Sequence, residues 1–257
     1  MTDSKPHASA HQIRIEVAAA IILVAVLFLV HRELTRPSVP TVSFARPGVS
    51  AKPNASASDP TAEFTGIYEA GLWGQNAEGK GNSGSGSTVE ATVVYRAYLQ
   101  QFLKQYDIRS VVDAGCGDWE FSQTMDWSGI DYMGFDIVES VIEKNKKKFG
   151  SEKVKFFTAN IVTFDLPPAD LLIVKHVLQH LPTADVQIFL KQLPKFKHVL
   201  LVNGVDADTL TSDNADILPG RYRPLDLTRP PFNLPAKKEL IYFDELHGHE
   251  VLHLARR

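Results

Sequence analysis

The run Val111-Val-Asp-Ala-Gly-Cys-Gly-Asp118 constrains this chain more than any other. A β-branched pair leads into Asp113 and then into Gly115 and Gly117, spaced one apart. A strand ending in such a turn lets backbone N–H groups come close to a ligand, because glycine accepts the conformations the turn requires. A second strand-like run, Asp131-Tyr-Met-Gly-Phe-Asp136, ends in another carboxylate. An acidic side chain at the tip of the next strand can accept both hydroxyls of a ribose. The two runs together predict a nucleotide-type cofactor.

The details select among cofactors. A dinucleotide fingerprint carries a third glycine and cradles a pyrophosphate, but here Gly117 is followed by Asp118, Trp119 and Glu120. Carboxylates on both sides of the turn repel a pyrophosphate and attract a cation. The pattern Asp-x-Gly-x-Gly, with Asp136 at the following strand tip, resembles the first motifs of class I S-adenosylmethionine-dependent methyltransferases. That cofactor has no phosphate and carries a sulfonium and an ammonium. A nicotinamide oxidoreductase is disfavoured by the missing glycine. A cofactor-binding scaffold without catalysis stays open, since fold alone does not secure activity.

Upstream, Val17 to Val30 forms an uninterrupted apolar run, extended by Ile13 and Ile15. Residues 13–31 are near the lower limit of a membrane span; a secretory signal peptide is the rival reading, but no small-x-small cleavage site closes them. They predict a single-pass anchor after an N-terminal tail, 1–12. Lys5 and Arg14 precede the run, and Arg32, Arg36 and Arg46 follow it, which favours a cytoplasmic catalytic domain. Cys116 is the single cysteine, so an intrachain disulfide is excluded. Residues 32–62 are rich in Pro, Ser and Ala and predict a disordered tether. The triplet at Asn54 matches a glycosylation pattern and means nothing on a cytosolic tether. A net charge of −3 argues against a general nucleic-acid binder. The basic run Lys144–Lys148 is expected on a solvated helix face.

Residues 63–109 read as an N-terminal lid and first helix, and 110–257 as the core. Ser87-Thr-Val-Glu90 matches a capping box before an amphipathic stripe of Tyr95, Leu99 and Phe102. Strands are expected at 110–114, up to 136, 154–159, 170–174 and 198–202. Helices are expected from about 119 and over 139–149 and 183–192. Alternation of this kind implies a parallel sheet with helices on both faces. The runs at 239–243 and 250–254 suit an antiparallel hairpin. The resemblance implies a Rossmann-like three-layer sandwich whose seven-stranded sheet has an antiparallel last strand.

By the same resemblance, Asp113, Gly115, Cys116 and Gly117 line the methionine part of the cofactor. Asp136 holds the ribose, Ile137 packs on adenine, and Asn160 and Ile161 meet its amino group. The segment Val174-Lys-His-Val-Leu-Gln-His-Leu181 maps below the transferred methyl, with Lys175 and His176 as catalytic candidates. His176 and His180 are spaced for a metal, but no third ligand is evident, so no metal is expected. The glycine-rich stretch 79–87 reads as a linker or as a lid, and Trp73 upstream suggests a lid that touches substrate. The loop 220–233 carries Arg221, Arg223 and Arg229, whose guanidinium forks suit an anionic acceptor. Salt bridges to Asp226 are the alternative. The acceptor, its reacting atom and the oligomeric state are not legible.

Overall fold

The computed structural model describes residues 59–256, apart from 77, 78, 80 and 245–247. The expected tail, the anchor at 13–31 and all but the last residues of the tether lie outside the described residues. Among the described residues no helix is long and apolar enough to cross a membrane.

The strands are β1 (Ser110–Ala114), β2 (Asp131–Asp136), β3 (Val154–Thr158), β4 (Leu171–Lys175), β5 (His198–Val205), β6 (Lys237–Phe243) and β7 (Gly248–Ala255). They form one sheet in the order β3-β2-β1-β4-β5-β7-β6. The first five strands pair in parallel, and β7 runs antiparallel to both β5 and β6. The sheet is Rossmann-like, with its last strand antiparallel as expected. The order reverses between β1 and β4, so a crevice opens beyond their carboxyl ends.

Burial on both faces makes the central strands apolar throughout, and alternate residues serve opposite layers. Val112, Leu172, Val174 and Leu201 belong to one core with Val186 and Phe189 of a helix at Thr183–Leu190. Val111, Leu171, Ile173 and Leu200 belong to the other, with Tyr95, Leu99 and Phe102 of a helix at Val93–Gln105. In chain order the helices are α1 (Thr61–Ala70), α2 (Val93–Gln105), α3 (Glu139–Phe149) and α4 (Thr183–Leu190).

Three local expectations are corrected. α1 begins inside the expected tether. Its short stripe of Phe64, Ile67 and Tyr68 is buried, and Gly71 ends it in the left-handed conformation at φ +62°. The capping box does not form: Ser87 lies in a 3-10 turn, and Thr88 Oγ1 instead accepts the Ala91 N–H at 3.2 Å. The helix expected from Trp119 is reduced to a 3-10 turn at Ser122–Thr124. Trp119 takes the left-handed conformation at φ +60°, which a right-handed helix does not include, and Trp127 Nε1 donates to the Ser122 carbonyl at 2.8 Å.

Candidate active site

The β1 turn is fixed by the backbone. Gly115 N and Cys116 N both donate to the Phe135 carbonyl, at 2.7 and 3.0 Å. Gly117 N donates to Asp136 Oδ2 at 3.0 Å, and Asp118 N donates to Ser83 Oγ at 2.8 Å. The expectation that these N–H groups face a ligand is therefore corrected: all four are spent inside the protein. Gly115 sits at φ +85° and Gly117 at φ +53°. A Cβ on Gly115 would lie 2.2 Å from Val177 Cγ2, and one on Gly117 would lie 2.2 Å from Ser83 Oγ. Both positions require glycine for conformation and for space.

Beyond this turn lies a cleft of about 870 Å³, open mouth included. Asp113, Gly115, Cys116, Gly117, Asp136, Ile137, Asn160 and Ile161 all line it, as do Trp73, Lys175, His176 and His180. Asp136 closes β2 with one oxygen on Gly117 N and the other on Val138 N, at 3.0 Å each. Its burial raises the carboxyl above the usual range, and the backbone donors oppose that. Each carboxylate oxygen keeps a lone pair for a further donor. Asp113 is buried and accepts the Tyr132 hydroxyl at 2.6 Å. Burial pushes its carboxyl up to about 6. Asn160 Oδ1 accepts the Val162 N–H at 3.0 Å, so part of its accepting capacity serves the local turn.

The β4 end is built from side chains of several segments. Lys175 is buried, and His176 follows it in the left-handed conformation at φ +56°. Lys175 Nζ donates to the Gly86 carbonyl at 2.7 Å and lies 3.1 Å from His176 Nδ1. The His176 ring lies 4.7 Å from that of His249, whose Nε2 is 2.8 Å from Asp244 Oδ2. His180 Nδ1 is 3.1 Å from the Arg221 carbonyl, so that nitrogen carries the proton and donates. The Trp73 ring packs 4.9 Å from the His180 ring.

The glycine-rich stretch packs across this cleft as a strap. Ser83 Oγ meets the Tyr68 hydroxyl and Asp118 Oδ1, both at 2.8 Å. A Cβ on Gly86 would come within 2.9 Å of the His176 ring. Sequence reasoning did not single out Ser83, His249 or Asn145. Asn145 sits within the lysine run of α3, yet it is buried and its Nδ2 donates to the Gly117 carbonyl at 2.7 Å. The signal was available, because it shares the inward face with Val141 and Ile142.

The structure does not bring the loop arginines into the cleft lining. Arg221 is exposed, and only its carbonyl contacts the site, through His180. Arg223 is 4% exposed and is spent on the fold. Its guanidinium donates to Thr183 Oγ1 at 3.0 Å, the Ala215 carbonyl at 2.8 Å and the Leu181 carbonyl at 2.9 Å. Asp226 pairs with Lys238 at 3.1 Å rather than with an arginine.

Residues 112–198 match a family described as a methyltransferase domain. No curated protein matches the chain by sequence. Among solved structures, it is similar to magnesium protoporphyrin IX methyltransferase from Synechocystis with bound S-adenosylmethionine. That match has 15% identity and a TM-score of 0.51, over 80% of this chain and 100% of the other. A putative O-methyltransferase from Nostoc punctiforme matches at 14% identity and TM-score 0.49, over 65% of this chain and 58% of that one. A bacterial Hen1 methyltransferase domain matches at 20% identity and TM-score 0.39, over 43% of this chain and 65% of that one. The chain thus spans less than two thirds of the last two. The matched segment covers about a third of the chain, and the likeness to the first of these structures is one of fold.

Proposed function

We propose that this protein is an S-adenosylmethionine-dependent methyltransferase that binds its cofactor in the cleft beyond β1, β2, β3 and β4. The observation that carries the reading is the spending of the N–H groups of residues 115–118 inside the protein. A pyrophosphate would find no donors in that turn. It would instead meet the carboxylates of Asp113, Asp118 and Asp136, which line the cleft. Those groups suit a ligand with a sulfonium and an ammonium. Gly115 and Gly117 let the turn pack against Val177 and Ser83 at the wall of the cleft, and Asp136 retains lone pairs for ribose hydroxyls.

When bound, S-adenosylmethionine supplies an electrophilic methyl group on its sulfonium. The residues of this chain then position and exclude water. Ile137, Ile161 and Val162 give the adenine side an apolar wall. The strap at Ser83–Ser87 covers the β4 end, where Lys175 and His176 stand closest to the acceptor. Rate acceleration comes mainly from holding the acceptor in line with the methyl group. The acceptor we infer is a small molecule reacting through oxygen or nitrogen. We further propose a single-pass membrane tether at residues 13–31 with the domain on the cytoplasmic side, supported by the apolar run and its basic flanks.

Calorimetric titration of the full chain with S-adenosylmethionine and with NAD tests the cofactor reading. Binding of NAD in preference would overturn it. Labelled methyl transfer into a cell extract, followed by mass spectrometry of the product, tests the activity. Carbonate washing of membranes tests the tether: an anchored chain stays with the lipid, and a shortened mature N-terminus would reveal a cleaved leader.

A further inference from the structure

Lys175 is only 7% exposed and lines the cleft, yet nothing negative touches its amine. Its contacts are the Gly86 carbonyl at 2.7 Å, His176 Nδ1 at 3.1 Å, and the rings of Phe121 and Tyr95 at 5.2 and 5.8 Å. Among the described residues no carboxylate forms an ion pair with it. A buried lysine without a paired carboxylate carries its charge at a cost. Desolvation brings the amine down to about 7.

The groups that face it come from every neighbouring element. Asp113 on β1 and Asp244 after β6 act on it from a distance and favour its charged form. Asp113 is held by Tyr132 of β2. Asp244 is held by His249 of β7, whose ring lies against His176. Tyr95 comes from α2, and burial pushes its hydroxyl well up, so it stays neutral. The amine therefore keeps its proton near neutral pH through the field of two remote carboxylates, helped by the Gly86 carbonyl and the two rings. A second cation in the same low-dielectric cleft would compete for that field and disfavour the ammonium form.

We propose that Lys175 is discharged by its own cofactor: as the sulfonium of S-adenosylmethionine enters the cleft, the Lys175 ammonium releases a proton to solvent and a neutral amine is left facing the acceptor. The proposal rests on the cofactor reading above. Its balance is simple. The N–H electron pair stays on Nζ as a lone pair, and the proton leaves to buffer. The site then holds one added positive charge and has lost another, so cofactor binding costs less electrostatic repulsion. The amine is also placed to take a proton from a protic acceptor, because lysines with lowered proton affinity serve as bases.

The test is isothermal calorimetry of the full chain at pH 7 in buffers of different ionisation enthalpy, with S-adenosylmethionine and S-adenosylhomocysteine in parallel. The second ligand has the same amino-acid end and no sulfonium, so the difference between them isolates the sulfonium charge. The expected difference is a release of about half a proton, the share carried at that pH by a group titrating near 7. Lys175→Gln should abolish the difference. Lys175→Arg should also abolish it while keeping the charge, because a guanidinium does not deprotonate, and it should bind the sulfonium ligand more weakly than wild type. If S-adenosylmethionine does not bind at all, the cofactor reading fails and takes this inference with it. If it binds with equal proton release for the two ligands, or with a difference that persists in both variants, the inference fails alone.

Discussion

The two ends of the cleft are held in different ways. At the β1 end the backbone is what is held: Phe135 O, the Asp136 carboxylate, Ser83 Oγ and Asn145 bind the N–H and C=O groups of a turn with two glycines at positive φ. At the β4 end, side chains from distant segments converge. Gly86, Lys175, His176, His180, Arg221, Asp244 and His249 are separated by up to most of the domain. The first arrangement rests on backbone atoms and on glycines that no Cβ can replace, so it tolerates little change at those glycines. The second is assembled by tertiary packing, so its parts can be exchanged to suit an acceptor while the cofactor end stays the same.

The largest expected effect breaks the backbone-held end. Gly115→Ala must place a Cβ 2.2 Å from Val177 Cγ2 at φ +85°. Left-handed strain costs about 1–2 kcal/mol, and overpacking against a stiff β-branched side chain adds about 1–3 kcal/mol. Thermal unfolding should show the loss, and calorimetry should show cofactor affinity reduced by about 100-fold or more, since a shifted Val177 intrudes on the cleft. An alanine variant with native affinity would mean that the turn has slack.

The matching change at the assembled end is Arg223→Ala. It leaves the Leu181 and Ala215 carbonyls without their donor, beside a guanidinium-sized hole. Breaking a buried charged network costs about 2–4 kcal/mol. The loss should appear in denaturant midpoint rather than in cofactor affinity per folded molecule. Asp136→Ala reverses that pattern. It should weaken S-adenosylmethionine binding by about 1.5–3 kcal/mol, the range for hydrogen bonds to a charged group, and unchanged affinity in a folded variant would remove Asp136 from the ribose site.

The contrast also explains what was legible in the sequence. The β1 turn, Asp136 and the alternating strands were readable because their causes lie within a few residues: β-branched runs, glycine spacing, a carboxylate at a strand tip. The helix expected after Trp119 was not, because periodicity does not show that Trp119 itself takes the left-handed conformation at φ +60°. α1 was missed because a stripe of three residues is too short to stand out from a Pro- and Ser-rich context. Arg223 and Arg221 looked alike as two arginines in a polar loop, and only packing separates them. The loop itself is anchored by Leu225 and Leu227, both fully buried, which no turn signal announces.

A pH effect of smaller size belongs to the assembled end. Burial holds the His180 ring down to about 4, against 6.5 for an ordinary histidine. The unfolded chain therefore binds a proton between these values that the native chain refuses, so stability rises with pH across that window and is lost as pH falls below 6.5. The contribution is about 1–2 kcal/mol after discounting for relaxation. Urea unfolding at pH 7 and pH 5 should show wild type losing more stability than His180→Gln. Equal losses would place the titration elsewhere.

The smallest expected effect is the most discriminating for the loop. Arg221 is exposed, and its contribution to the site is its carbonyl, which accepts from His180 Nδ1 at 3.1 Å. Arg221→Ala keeps that carbonyl and removes only a solvated guanidinium. Stability should change by less than about 0.5 kcal/mol, as for other surface substitutions. Cofactor affinity should be unchanged, and labelled product should form from extract at the wild-type rate. Lower kcat/KM for the acceptor, with the cofactor Kd intact, would show that the guanidinium reaches the acceptor in the working complex. In that case the assembled end recruits exposed charge as well as buried side chains, and an anionic acceptor becomes the better reading. Equal rates would leave the loop acting through its backbone alone, and the recognition of the acceptor would fall to Lys175, His176 and Trp73.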